Sequence, residues 1–265
     1  MKSNALRDTM QLGQPALNAW CAMASTHAIE ILAQLDFDSI TIDLQHGAMD
    51  GADAFRMLQA ISGRPITPLV RVPWNMPSEI MKALDAGAEG IICPMINTAD
   101  EAAQFVGACR YPPDGYRSFG PTRAALANGA QSSADYAANA NAEILTLAMI
   151  ETRDGLKNLD AILAVDGLDG IYIGPGDLSL ALGARPSMRQ KPGTPQADAV
   201  IEAIDRCLKH ARAAGRFAAI HTDGNETARI RFEEGFHLCT LQSDARLLSD
   251  AAKAQIASCR TDLQR

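Results

Sequence analysis

Apolar runs of strand length recur along this chain, at roughly residues 16–21, 39–44, 67–72, 90–95, 145–150, 170–174, 217–221 and 238–242. Most are continuous rather than alternating, which is the pattern of parallel strands covered on both faces. Between them the apolar positions fall at helical spacing. Ser25 can cap a helix carrying Ile29, Leu32 and Leu35 on one face. Pro77 and Ser78 open another, with Ile80, Met81 and Leu84 as its stripe and Gly87 as its stop. Val200, Ile204, Leu208 and Ala211 make a third stripe ending near Gly215, and Thr227, Ile230 and Arg231 lie on a fourth ending near Gly235. Ser243 and Asp244 can cap a last helix holding Leu247, Leu248 and Ala251. About eight strand–helix units in 265 residues predict an α/β fold, a (β/α)8 TIM barrel formed by residues 1–265 as one domain. A doubly wound sheet is the alternative. Its GxGxxG fingerprint is missing, because Gly174-Pro175-Gly176 runs on into Asp177-Leu178-Ser179.

Two stretches lack strand character. Residues 111–143 open with Tyr111-Pro112-Pro113-Asp114-Gly115-Tyr116-Arg117-Ser118 and continue as small, polar, partly helical sequence. Inserts of that length are usually functional loops or contact surfaces. Residues 183–195, with Gly183, Pro186, Pro192, Gly193 and Pro195, are expected to lie over the rim that carries the site.

Four polar motifs follow the apolar runs: Asp43-Leu44-Gln45-His46-Gly47, Val70-Arg71-Val72-Pro73, Ile150-Glu151-Thr152-Arg153 and Gly174-Pro175-Gly176-Asp177-Leu178-Ser179. A core has no use for charge at strand ends, because isolated buried charges are costly. In a barrel of this type the strand C-termini converge on the face that carries the active site. Asp43, His46, Arg71, Glu151 and Asp177 are then brought together from four strand ends. Glu151 and Asp177, on neighbouring strands and without Cys or His beside them, suit a hard divalent cation whose other ligands are water or substrate oxygens. Each alone could instead cap a helix. The Arg71 guanidinium needs an anion. A substrate carboxylate suits its planar fork, and an internal salt bridge to Asp43 or Glu151 is the competing reading. His46 is the candidate general base. Asp85 could orient it, or be an ordinary exposed helix residue. His221, at the end of Ala219-Ile220-His221, is a possible pocket residue, whereas His27, His210 and His237 read as structural or surface groups.

Composition narrows the partners. The net charge is −7 without a Lys/Arg run, which disfavours nucleic acid and anionic membrane. No apolar stretch approaches bilayer length, and the N-terminus lacks a secretory segment. The six cysteines are widely spaced and form no CxxC pair, so they read as free thiols in a reducing cytoplasm rather than as a zinc site. None of Lys2, Lys82, Lys157, Lys191, Lys209 and Lys253 ends an expected strand. Schiff-base chemistry is therefore disfavoured, and enolate chemistry here calls for a metal as electron sink.

Together these residues resemble the HpcH/HpaI family of metal-dependent (class II) pyruvate aldolases, typified by 4-hydroxy-2-oxoheptanedioate aldolases. The resemblance runs through Phe37-Asp38, Ile42-Asp43, His46, Val70-Arg71-Val72, Trp74-Asn75, Leu84-Asp85-Ala86-Gly87 and Pro94-Met95. It continues through Arg110-Tyr111-Pro112-Pro113, Gly115, Arg117, Ile150-Glu151-Thr152, Asp169–Pro175 and Asp177-Leu178-Ser179. It implies a barrel whose last helix is exchanged between subunits of a homo-oligomer, a trimer or hexamer. It also implies magnesium, manganese or cobalt, with zinc acceptable, on Glu151 and Asp177. Arg71 would hold the keto oxygen of pyruvate, and the backbone around Gly176 and Asp177 its carboxylate. His46, oriented by Asp85 and assisted by Asp43, would be the acid/base. The reaction implied is reversible cleavage of a 4-hydroxy-2-oxo acid to pyruvate and an aldehyde through a metal-stabilised enolate.

Some positions depart from the family pattern. Met149 stands where glutamine is frequent, which bears on donor binding. Gly176 stands where Ala or Ser is common, and the loop Gly47-Ala48-Met49-Asp50 varies. The segment near Pro121-Thr122-Arg123 looks rearranged and is expected to shape the aldehyde side of the pocket. The same site could serve an oxaloacetate decarboxylase or a lyase for CoA thioesters, although no basic groove for CoA is evident. A non-catalytic binding barrel would have no need of a general base.

Overall fold

The computed structural model describes residues 1–263. Eight parallel strands, β1 (Ala16–Cys21), β2 (Ser39–Asp43), β3 (Thr67–Arg71), β4 (Gly90–Cys93), β5 (Leu145–Ile150), β6 (Gly170–Ile173), β7 (Phe217–His221) and β8 (Leu238–Ser243), close in sequence order into a barrel. Their helical partners are α1 (Ala5–Gln11), α2 (Thr26–Leu32), α3 (Gly51–Ala60), α4 (Pro77–Asp85), α5 (Ala99–Cys109), α6 (Thr122–Ala127) and α7 (Ser133–Glu143), followed by α8 (Arg153–Lys157), α9 (Leu159–Leu163), α10 (Pro175–Ala181), α11 (Pro195–Ala213), α12 (Asn225–Glu234) and α13 (Asp244–Leu263). The (β/α)8 expectation is met, and each strand lies within a residue or two of its apolar run.

Burial on both faces explains why the runs are continuous. One apolar cluster, including Ile40, Ile42, Val70, Ile91, Ile150, Ile173 and Ile220, fills the space between barrel and helices. A second, with Trp20, Leu69, Ile92, Leu147, Met149, Tyr172 and Ala219, fills the interior. Successive side chains of a strand point to opposite faces, so every strand feeds both clusters except β2, whose other face carries the polar Ser39, Thr41 and Asp43. α1 contributes Leu6 and Met10 to the interior cluster and thereby closes the N-terminal mouth of the barrel. At mid-height the interior is polar: the Asn18 carbonyl accepts from Ser39 Oγ (2.9 Å) and Thr41 Oγ1 (3.1 Å), and its amide donates to Thr240 Oγ1 (2.8 Å).

Helix boundaries follow their caps. Ser25 accepts from the Ala28 N–H and starts α2, but this helix stops at Leu32, and Leu35 is 54% exposed beyond it rather than on its buried face. α4 has Pro77 in its first turn, and Gly87 takes the left-handed φ of +108° shortly after its end. Asp244 opens α13, yet its carboxylate also accepts from the Ala22 and Met23 N–H groups, tying the last helix to the end of β1.

The 111–143 segment forms α6 and α7. It lies between α5 and β5, on the helix-to-strand returns, and therefore at the N-terminal rim. The expectation that the region near Pro121-Thr122-Arg123 shapes the pocket is not met within this chain, because helices running back from the strand C-termini deliver it to the opposite end. Cys21, Cys93, Cys109, Cys207 and Cys239 are free and buried, and Cys259 is free and exposed. Among the described residues no helix is long and apolar enough to cross a membrane.

Gly170 faces Phe217 at the first rung of β6 and β7, and a Cβ there would meet the Phe217 carbonyl oxygen at 2.4 Å. Gly170→Ala is expected to lower stability by about 1–3 kcal/mol through this overpacking. Gly51→Ala, at an open helix start, should stay within about 0.5 kcal/mol. Urea unfolding midpoints of the two variants check the contrast.

Candidate active site

The two-residue alternation of the strands decides which side chains meet at the C-terminal mouth. Trp20, Asp43, Arg71, Met149, Tyr172 and His221 all lie at or near strand ends and line one cavity of about 270 Å³. His46, Gly174, Pro175, Gly176, Asp177 and Ser243 come from the loops and helix starts that follow, and Met188 from the 183–195 loop. That loop therefore reaches the rim as expected, held in part by Gln190 Nε2 donating to Ser179 Oγ at 2.9 Å.

Asp43 and Arg71 are direct cross-strand partners on β2 and β3. Their side chains meet in a bidentate ion pair, Nε donating to Oδ1 at 2.8 Å and Nη2 to Oδ2 at 2.5 Å. Both are buried, and the guanidinium also lies 4.8 Å from the centre of the Trp20 ring. Of the alternatives for Arg71, the fork itself goes to the internal salt bridge, which leaves Nη1 for the cavity. Asp43 further accepts from Trp20 Nε1 (3.2 Å) and from the backbone N–H groups of Gln45 (3.0 Å) and His46 (3.2 Å). This one carboxylate therefore positions the arginine, the indole and the loop that carries His46. Burial alone would push its pKa up, but the Arg71 hydrogen bonds and charge outweigh burial and hold it below the usual carboxylate value. The His46 side chain is exposed at the cavity wall.

Across the mouth stands Glu151, 2% exposed, with Oε1 accepting from the Met95 N–H at 2.9 Å. Burial pushes its carboxyl up to about 7, the Met95 N–H opposes this, and the charge of Asp177 adds to the rise. Its Oε2 lies against Gly174, where a Cβ would come within 2.6 Å of it. Neither acid caps a helix through its side chain. Thr152 caps α8, accepting from the Gly155 N–H at 3.0 Å, and Asp177 sits in the first turn of α10 without a capping bond. Among the described residues neither forms an ion pair, and no group of three or more His, Cys, Asp or Glu side chains could hold a metal. A buried acid beside a second acid, with neither in an ion pair, fits a hard divalent ion that takes its remaining ligands from water or substrate.

Asp85 is not brought to His46. α4 starts at the C-terminal rim and runs to the other end, so its last residue lies at the N-terminal rim. There Asp85 Oδ1 accepts from Arg117 Nη2 at 2.7 Å, and the fully buried Arg117 guanidinium stacks over Tyr111. Within the chain Asp85 is thus held by Arg117 and does not meet His46.

Sequence reading missed Trp20, Tyr172, Met188 and Ser243. Trp20 and Tyr172 are embedded in apolar runs, and only an inside/outside assignment of those runs singles them out.

A model of the HpcH/HpaI aldolase/citrate lyase family matches residues 17–251. A hydroxypyruvate/pyruvate aldolase from Rhizorhabdus wittichii is 43% identical over 257 residues, covering 97% of this chain and 99% of its own. A 4-hydroxy-2-oxo-heptane-1,7-dioate aldolase from Salmonella paratyphi C is 37% identical over 256 residues, covering 96% and 94%. The crystal structure of a HpcH/HpaI aldolase/citrate lyase family protein from Burkholderia cenocepacia superposes with a TM-score of 0.87 at 30% identity, covering 97% of this chain and all of that one.

Asp43→Asn leaves the buried Arg71 charge without its counter-ion, at an expected cost of about 3 kcal/mol. A carboxyl with a lowered folded-state pKa stabilises above the unfolded value of 3.8 and loses that contribution as pH falls through the folded one. Urea midpoints of wild type and variant should stay apart from neutral pH down to about pH 4 and converge below it. Coincident midpoints at neutral pH would remove the pair from the stability of the fold.

Proposed function

The chain belongs to the HpcH/HpaI aldolase/citrate lyase family, and on that premise we propose that it is a lyase that reversibly cleaves 4-hydroxy-2-oxo acids to a 2-oxo acid, pyruvate or hydroxypyruvate, and an aldehyde. The observation that carries this reading is the arrangement of the mouth: an uncompensated acid pair, Glu151 and Asp177, faces an arginine clamped by Asp43. One side supplies a place for a cation and the other a fixed hydrogen-bond donor, so both converge on a single oxygen-rich substrate.

Glu151 and Asp177 would hold a divalent cation, with magnesium, manganese, cobalt or zinc all compatible with two carboxylates. When bound, the cation supplies Lewis-acid polarisation of the substrate keto group. Arg71 Nη1 donates to the keto oxygen and stabilises the negative charge that develops there, while Asp43 keeps the guanidinium from turning away. The backbone around Gly176 and Asp177 receives the carboxylate. His46 takes the proton of the C4 hydroxyl, the C3–C4 bond breaks, the aldehyde leaves, and protonation of C3 gives the 2-oxo acid. Met149 offers the donor an apolar surface without a hydrogen-bonding group. Among the described residues the cavity wall includes no lysine and only one arginine, so nothing in it favours a CoA thioester.

Association into a trimer or hexamer fits the last helix. α13 leaves Leu248 63% and Ile256 53% exposed, an apolar face that exchange of this helix with another copy would cover.

EDTA-treated protein should release no pyruvate from a panel of 4-hydroxy-2-oxo acids, and added Mg, Mn, Co or Zn should restore release. Arg71→Ala should lower kcat/KM by about 10²-fold or more. Glu151→Gln should abolish the rise in Tm that the cation gives the wild type. Release from oxaloacetate alone would turn the reading to a decarboxylase, and no release with any cation would end it.

A further inference from the structure

His221 closes β7 and lines the cavity, but neither the ion pair nor the acid pair engages it. Its ring meets the Trp20 ring edge-on, with centroids 5.0 Å apart, and its Nδ1 lies 3.2 Å from Tyr172 Oη. Behind it runs a buried hydroxyl chain. Tyr172 Oη and Thr240 Oγ1 are 2.6 Å apart, and Thr240 Oγ1 accepts from Asn18 Nδ2. Tyr172, Thr240 and Asn18 are each fully buried.

The donors along this chain can be followed. Two hydroxyls, from Ser39 and Thr41, fix the Asn18 carbonyl and so turn its amide toward Thr240. Tyr172 Oη donates to Thr240 Oγ1. With its own hydrogen used there, Tyr172 Oη is the acceptor for the Nδ1–H of His221. The imidazole Nε2 then carries the lone pair, on the side of the ring away from Tyr172. Burial, with the charge of Arg71 adding to it, lowers the His221 pKa to about 4, so the ring is neutral in ordinary assay conditions.

We propose that Nε2 of His221 accepts from the C3 hydroxyl of a hydroxyl-bearing donor, making this residue the determinant that admits hydroxypyruvate beside pyruvate. The assignment rests on the aldolase reading above. In that reading the carboxylate goes to the backbone at Gly176 and Asp177, and the keto oxygen to Arg71. Trp20, Met149 and Met188 give the rest of the wall an apolar surface, against which a hydroxyl would lose water without compensation. Of the polar side chains on the β7–β8 side, His221 is the one held in place by a continuous hydrogen-bonded chain. Ser243 is the other, and it has no such support.

The test is the ratio of kcat/KM for hydroxypyruvate to that for pyruvate, each used as donor in aldol addition to one fixed aldehyde with the activating cation present. Wild type should accept both donors. His221→Leu should lower the ratio by about 10-fold or more, mainly through KM for hydroxypyruvate, as expected when a site built for a substrate hydroxyl loses its partner. His221→Gln, which keeps a hydrogen-bond acceptor, should recover most of the ratio, and Tyr172→Phe, which frees Nδ1, should give an intermediate value. An unchanged ratio in His221→Leu, an equal fall for both donors, or a wild type that accepts only pyruvate would each overturn the proposal and leave the aldolase reading intact. A wild type active with neither donor would overturn both. Should His221→Leu not fold, by circular dichroism and urea midpoint, the ratios of the Gln and Tyr172→Phe variants decide.

Discussion

The bidentate pair between Asp43 and Arg71 is the constraint around which the mouth of this barrel is organised. Two strand-end residues of opposite charge are placed on the same rung of adjacent strands, where the pleat turns both inward. Neither could be buried alone, because an unpaired charge in such a setting is strongly unfavourable. Paired, they fix more than each other. Asp43 spends its remaining acceptor capacity on Trp20 and on the loop that ends in His46. Arg71 is left with one face toward the cavity and the other over an indole. The rigidity of the site thus comes from one carboxylate that serves four partners.

The opposite wall has the reverse character. Glu151 is as buried as Asp43, yet it forms no ion pair among the described residues, and its carboxyl is raised rather than lowered. The two walls are complementary in what they lack: one has satisfied its charge internally, and the other has not. A small oxygen-rich ligand with a cation is the simplest species to complete both. The third side, built from β7, β8 and β1, is different again. It holds neutral aromatic and hydroxyl groups in a directional hydrogen-bonded chain that ends at His221.

Much of the fold was legible because its signals are local. Continuous apolar runs, Ser25 and Pro77 at helix starts, and Gly87 after a helix end act over a few residues, and they placed strands and helices closely. The choice of Asp43, His46, Arg71, Glu151 and Asp177 as a set followed from their position just past those runs. Trp20 and Tyr172 escaped because an apolar run covered on both faces does not announce which of its residues point inward. Asp85 and the region near Pro121 lie at the far rim of their own chain, because the helices that carry them run back from the strand C-termini, and sequence spacing does not show how far a helix has travelled from the rim.

The sequence by itself determined the alternation of strands and helices and the identity of the charged groups at the strand ends, since both depend on near neighbours in the chain. Only the tertiary structure decided which groups meet. Barrel closure aligned Asp43 with Arg71, 28 residues apart, and brought Tyr172 to His221, 49 apart, and to Thr240, 68 apart. The antiparallel return of each helix carried Asp85 to the far rim and gave it to Arg117. Such pairings depend on register, closure and direction of travel, which are properties of the whole barrel and are written in no single stretch of it.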